Sequence, residues 1–222
     1  MPGENSGLKL YYHPLSSFCW KALIALYEND TPFEPVLVDL QNADERAAFY
    51  KLWPIGKFPV LRDETRDWMV PESSIIIEYL AQHYPGPIDL VFRDDPELAR
   101  QTRMQDRFFD SYIHQQMQKI VGDHRRPADQ KDAMGTTQAK ALIRTAYGLV
   151  EEAMATRQWA MGDAYTMADC AASPALFYAN KVVPLGDFPN TKAYLQRLSV
   201  RPSFARVLKE AEPYFHMFPV KD

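Results

Sequence analysis

Cysteine is scarce. Two thiols in 222 residues supply no disulfide framework, and a chain of this length without one suits a reducing compartment. Long apolar runs are missing too: none reaches the ~18 residues of a membrane-spanning helix, so no membrane partner is expected. The first residues, Met1–Gly7, are polar and lack the charged-then-apolar signature of a secretion signal, which makes the cytoplasm the expected location. Basic charge is not in excess either. A net charge of −4 and a pI near 5.8 argue against a general nucleic-acid binder. His13, His83, His114, His124 and His216 show no metal-ligand spacing, so no metal is expected. No glycine-rich phosphate loop, internal repeat or low-complexity segment is present.

What remains is an ordinary globular composition, 46% hydrophobic and 24% charged, with enough chain for one large domain or two small ones. Leu8–Tyr12 has strand character, and Pro14, Ser16 and Ser17 then punctuate it. Cys19, Leu23 and Leu26, with Ala22 and Ala25, follow helical spacing over Phe18–Tyr27. Ser16 or Ser17 is the natural N-cap of that helix. Pro35–Asp39 is a run of strand length, and Asn42–Leu52 reads as a helix capped by Asn42 with Glu45 three residues on. Two short strands, Phe58–Arg62 and Trp68–Val70, flank a polar turn. A helix from about Glu72 to His83 follows, with Ile76, Tyr79 and Leu80 inward. The resulting order, β-α-β-α-β-β-α, implies a mixed sheet covered by helices.

Beyond the linker Tyr84–Asp94 the strand signals stop. Asp95-Pro96 is a helix start, with Asp as N-cap and Pro at the first helical position, and the apolar pattern carries that helix to about Val121. Gly122–Gly135 reads as a polar loop. Helical spacing returns at Leu142, Ile143, Ala146, Tyr147, Val150 and Met154, then near 167–180, 190–199 and 203–211. The second half is expected to be all-helical.

Four stretches, in this order and at this spacing, resemble the cytosolic glutathione S-transferase family: Tyr11–Trp20, Gly56–Leu61, Pro71–Ile75 and Gly162–Asp169. The resemblance spans Lys9 to about Ala211. It implies an α/β thioredoxin-like N-terminal domain, drawn as residues 1–86, an all-α C-terminal domain, 87–222, and a homodimer. The implied ligand is glutathione as co-substrate. The implied reaction is attack of its thiolate on a small electrophile; isomerisation, dehalogenation or glutathione binding without turnover are the alternatives.

On this resemblance Pro59 follows a cis peptide bond, and the backbone of Phe58 pairs with the cysteinyl backbone of glutathione. Glu72 and Ser73 stand where a helix N-terminus offers free amides and a positive dipole end to a carboxylate. Ser73 adds a donor there, and Glu72 accepts from an α-ammonium. Glu and Ser are also common first-turn residues that need no ligand. Many members carry Asn-Pro where this chain has Trp53-Pro54; Lys57 is a candidate to face the glycyl carboxylate instead. For the thiol, Ser16 matches the serine of the theta-, zeta- and delta-like classes, Ser17 is its neighbour, and Tyr12 matches the tyrosine of the alpha, mu and pi classes. They rank in that order. Cys19 falls at the second cysteine of a CxxC pattern whose first is Ser16, so no dithiol cycle is expected. Thr166–Asp169 is a capping box with a structural role. The second substrate is expected between the domains, near Tyr112, Gln116, Met117 and the aromatic tail Tyr214–Phe218. Arg125 and Arg126, set among Asp123, Asp129 and Asp132, read as a solvated loop.

Overall fold

Alternation of Leu8 and Leu10 inward with Lys9 and Tyr11 outward makes the first strand, β1 (Leu8–Tyr12), a half-buried centre for a sheet. The structure, a computed structural model, describes residues 7–219; apart from Gly7, the polar N-terminal stretch lies outside them. Helix α1 (Ser17–Glu28) leads by a short connection to β2 (Glu34–Leu37). Helix α2 (Ala43–Leu52) follows, then β3 (Val60–Asp63), β4 (Trp68–Pro71) and α3 (Ser73–His83). The sheet order is β2-β1-β3-β4, with β1 and β2 parallel and the other pairs antiparallel. This is the thioredoxin-like arrangement, and helices complete the rest of the chain: α4 (Pro96–Phe108), α5 (Gln115–His124), α6 (Ala133–Met154), α7 (Met167–Val182), α8 (Pro189–Val200) and α9 (Pro202–Ala211).

Three expectations shift. The third strand begins at Val60, not Phe58, because Pro59 has no N–H to give the ladder. The second lies at Glu34–Leu37, starting and ending earlier than the apolar run. The long helix from Asp95 is not uniform: a π-helical turn, Phe109–His114, separates α4 from α5, which continues to His124. In α6, Leu142 is one of the exposed large apolar residues.

Helix α1 is buried almost all round, from Ser17 to Leu26 with Phe18 excepted, which marks a central helix. It packs against α7, α3 and α9. Helix α7 can come close because Ala168, Ala171, Ala172, Ala175 and Ala179 present little side chain. Trp20 anchors this contact, its ring 4.7 Å from that of Tyr178. The same core cluster runs through the sheet and the helical half. A capping box starts α7: Thr166 caps the helix and the Asp169 carboxylate accepts from the Thr166 amide at 2.9 Å. Asp169 also accepts from the Ala160 amide at 2.9 Å and the Tyr194 hydroxyl at 2.5 Å.

A polar cluster lies where α1, α3 and α4 meet. Lys21, 0% exposed, reaches Asp106 at 2.5 Å and Asp110 at 2.8 Å and donates to Ser74 at 2.7 Å. Ser74 in turn donates to Asp106 at 2.8 Å, and Arg107 closes the group from the outside. One turn along each helix, Ser17 meets His114.

Candidate functional site

The chain turns sharply between α2 and β3. Gly56 there has φ +66°, and a Cβ would strike the Tyr50 ring, so glycine is favoured at this turn. That turn delivers Lys57, Phe58 and Pro59 to one wall of a cavity of about 260 Å³. The Phe58–Pro59 peptide bond is cis. Phe58 precedes the ladder, and its N–H and C=O have no partner among the described residues.

Glu72 and Ser73 form the facing wall, with Trp53 and Phe18 beside them. Glu72 is the N-cap of α3, yet its φ of 71° lies in the left-handed region and its side chain makes no capping bond. A non-glycine residue held there costs about 1–3 kcal/mol, and such strain gathers at ligand sites. Its carboxylate stays exposed, while Ser73 is buried at the first helical position, where the orphan amides lie. All five residues expected to bind the tripeptide therefore line one cavity.

Two further cavities share its walls. Gln118 is common to the first and to a second, of about 340 Å³. Phe58 is common to the first and to a third, of about 650 Å³. Ser16 lines both the second and the third, so it stands where the spaces converge. The second and third each fall within the ~300–1,000 Å³ typical of small-molecule sites.

The three hydroxyls named for the thiol differ in what they can offer. Ser16 is the N-cap of α1; its oxygen accepts from the Cys19 amide at 3.4 Å, leaving its proton to donate. Ser17 lines the second cavity, and its oxygen is 2.5 Å from His114 Nε2. Burial drives the His114 pKa down to about 3, with the Lys21 charge adding to the effect; the ring is therefore neutral near pH 7. Ser17 keeps a proton for a ligand only in the tautomer that donates from Nε2, whereas Ser16 keeps one in either. Tyr12 is half-buried against the main core and lines none of these cavities; burial raises its pKa. The Cys19 thiol is inert: burial pushes its pKa to about 12.

Among the residues named for the second substrate, Met117 lines the second cavity, as do Met217 and Phe218 of the tail. Tyr112 does not come to the cleft. It lies in the π turn, is 50% exposed and packs on Phe108. Gln116 is buried and engaged with the Ser111 carbonyl and Lys119. Phe215 belongs to the core beside Trp20 and Phe177.

Several lining residues had no advance signal. Gln115 and Gln118 share a face of α5, one helical turn apart. His13 lines the third cavity, stacked 6.1 Å from Phe58, with Nδ1 accepting from the Leu15 amide. Burial lowers its pKa, so the neutral ring carries its proton on Nε2. Arg125, read as solvated loop, lines the second and third cavities. Among the described residues no group of His, Cys, Asp and Glu could hold a metal ion, and no helix is long and apolar enough to cross a membrane.

Two family models match the chain. "Glutathione S-transferase, N-terminal domain" covers residues 10–88 and "Glutathione S-transferase, C-terminal domain" residues 103–202. Glutathione S-transferase F13 of Arabidopsis thaliana is 28% identical over 90% of this chain and 94% of its own. FtsZ-localized protein A of Caulobacter vibrioides is 28% identical over 92% of each. Among solved structures, a glutathione S-transferase of Methylobacterium radiotolerans in complex with glutathione sulfonate aligns with a TM-score of 0.77. It is 25% identical, over 90% of this chain and 93% of that one. With the cis Phe58–Pro59 bond, the α3 N-terminus facing it and both matches in order, the chain belongs to the glutathione S-transferase family.

Proposed function

We propose that the chain is a glutathione transferase, in which bound glutathione attacks a small electrophile through its thiolate. One observation carries this reading: the unpaired Phe58 backbone and the Glu72–Ser73 helix start share a cavity whose adjoining wall holds the Ser16 hydroxyl. The solved relative bound to glutathione sulfonate supports the choice of ligand.

In this reading the Phe58 backbone pairs with the cysteinyl residue, and the first turn of α3 takes the γ-glutamyl carboxylate. Glu72 accepts from the α-ammonium, and Lys57 faces the glycyl carboxylate. Ser16 then donates to the sulfur at the N-terminus of α1. A thiol of pKa near 8.5 needs about 2 kcal/mol to be half ionised at pH 7. A charge-assisted hydrogen bond of about 1.5–3 kcal/mol and a helix terminus of about 0.3–1 kcal/mol supply that much. Holding both substrates side by side provides the remaining acceleration.

No metal enters this chemistry. The division into domains at residues 86 and 87, the cytoplasmic location and the homodimer belong to the same reading. Exposed Ile75, Met104, Tyr112 and Leu149 support self-association, and sedimentation velocity tests it. Isomerisation and dehalogenation would draw on the same thiolate and differ only in product.

Retention on immobilised glutathione is the first test, and Glu72→Ala or Ser73→Ala should abolish it. A wild-type chain that flows through unbound ends this reading. Conjugation to a chromogenic electrophile is the second. Ser16→Ala should lower kcat about 10- to 100-fold, the loss of one charge-assisted hydrogen bond; equal rates would transfer the role to Ser17. Binding without conjugation of any electrophile would leave a glutathione-binding protein.

A further inference from the structure

The second cavity, between the start of α1 and the end of α5, has a distinctive charge content. Its wall is largely apolar: Leu15, Met117, Val121, Tyr178, Met217 and Phe218. The neutral polar groups are Ser16, Ser17 and Gln118, and the remaining side chain is Arg125. No carboxylate lines this space. The neighbouring Arg126 pairs with Asp123 at 3.5 Å, and Asp123 also accepts from the Asp132 amide. The Arg125 guanidinium, by contrast, has no ion pair or hydrogen bond among the described residues.

Arg125 is the C-cap of α5, where a cation is favoured by the helix dipole. Capping would aim its donors at the last carbonyls of α5, and its guanidinium makes no such bond. In the third cavity, which Arg125 also lines, the acid is Asp39. It is already an acceptor for the Gln41 amide, and it acts on the His13 side of the space. Arg125 is exposed to solvent and lines the same two cavities as Ser16, so its guanidinium is free to meet the anion of a ligand there.

We infer that Arg125 selects the second substrate: an electrophile with an apolar, aryl-sized body and a carboxylate that pairs with the guanidinium. This rests on the transferase reading of the cleft and adds the substrate class. The body would lie along Met117, Tyr178 and Phe218, with the reactive carbon toward Ser16. For an unsaturated ketone, the thiolate sulfur forms a bond to the β-carbon and the π pair moves to the enolate. A proton equivalent to the one lost by the thiol then returns to the α-carbon, so nothing is oxidised or reduced. Arginine suits the task because its planar fork matches a carboxylate with two parallel donors.

The test uses a matched pair, an aryl enone with a para-carboxylate and its methyl ester. The acid-to-ester ratio of kcat/KM should fall about tenfold in Arg125→Gln, mostly through KM for the acid. Arg125→Lys should keep part of it, and the wild-type preference should shrink as salt rises. The same ratio in wild type and Arg125→Gln overturns the inference. So does a parallel rise in KM for glutathione, which would place Arg125 on the tripeptide. Should neither compound be conjugated, calorimetry on the glutathione-loaded protein still decides. Tighter binding of the acid that Arg125→Gln erases upholds the inference, and equal binding of acid and ester overturns it. Failure to retain glutathione at all would condemn the transferase reading separately.

Discussion

Glu72 combines a strained backbone with an exposed, unbonded carboxylate. Glycine accepts a φ of 71° without penalty but adds freedom to the unfolded chain, so Glu72→Gly should leave folding stability within about 1 kcal/mol of wild type. Retention on immobilised glutathione should nevertheless be lost, because the carboxylate is gone. A variant that unfolds easily would instead make Glu72 a structural residue. His114 offers a second residue-level prediction. Its ordinary value is 6.5 and its folded value about 3. The unfolded chain therefore takes up a proton as pH falls through 6.5, while the folded one does not until about pH 3. Burial of this ring is free of cost above pH 6.5, and below it removes about 1.4 kcal/mol of stability per pH unit. Urea unfolding of wild type and His114→Asn between pH 6.5 and 4.5 should differ in slope by one proton. Identical slopes would mean the ring is not held neutral.

At the level of elements, the capping box at Thr166–Asp169 is a start signal that tertiary contacts have extended. Asp169 accepts from the Thr166 amide, as the four-residue pattern implies, and also from the Ala160 amide and the Tyr194 hydroxyl. Asp169→Ala leaves several buried donors without an acceptor, each at about 1–3 kcal/mol. The expected loss, about 3 kcal/mol or more in urea unfolding, exceeds the ~0.5–2 kcal/mol of a cap alone. A loss under 1 kcal/mol would show that water replaces the carboxylate. The caps Asn42, Asp95 and Thr166, the Ser16–Ser17 pair that holds the cap of α1, and the order of strands and helices were legible in sequence, since each rests on local spacing. The π turn at Phe109–His114 was not. Nothing in the apolar spacing from Leu98 to Ile120 marks one extra residue in a turn, and the turn is fixed by what Asp110 and His114 face on α1.

Across the whole molecule, the Lys21 cluster ties the sheet-bearing half to the helical half. It also anchors Ser74, and so the first turn of α3 that presents Ser73. Lys21→Met leaves Asp106 and Asp110 buried with Arg107 as their remaining cation, at an expected loss of about 3–5 kcal/mol. Combining it with Asp106→Asn and Asp110→Asn should recover part of that, as read from denaturant midpoints at constant m. No recovery would mean that packing of the lysine stem dominates.

Sequence alone was enough for the order of strands and helices and for naming five residues that line one cavity, because those follow from caps, periodicity and motifs a few residues long. Tertiary structure decided which of the remaining polar groups meet. Lys21 finds its aspartates across some ninety positions, Ser17 finds His114, and Arg125 turns from an apparent loop residue into the cation of a cavity. Tyr112 lies inside the π turn and Gln116 just beyond it, and neither lines the cavities around Ser16. Charges and hydroxyls carry no periodic signature, so their partners are chosen by packing, and only the folded chain shows which ones it has brought together.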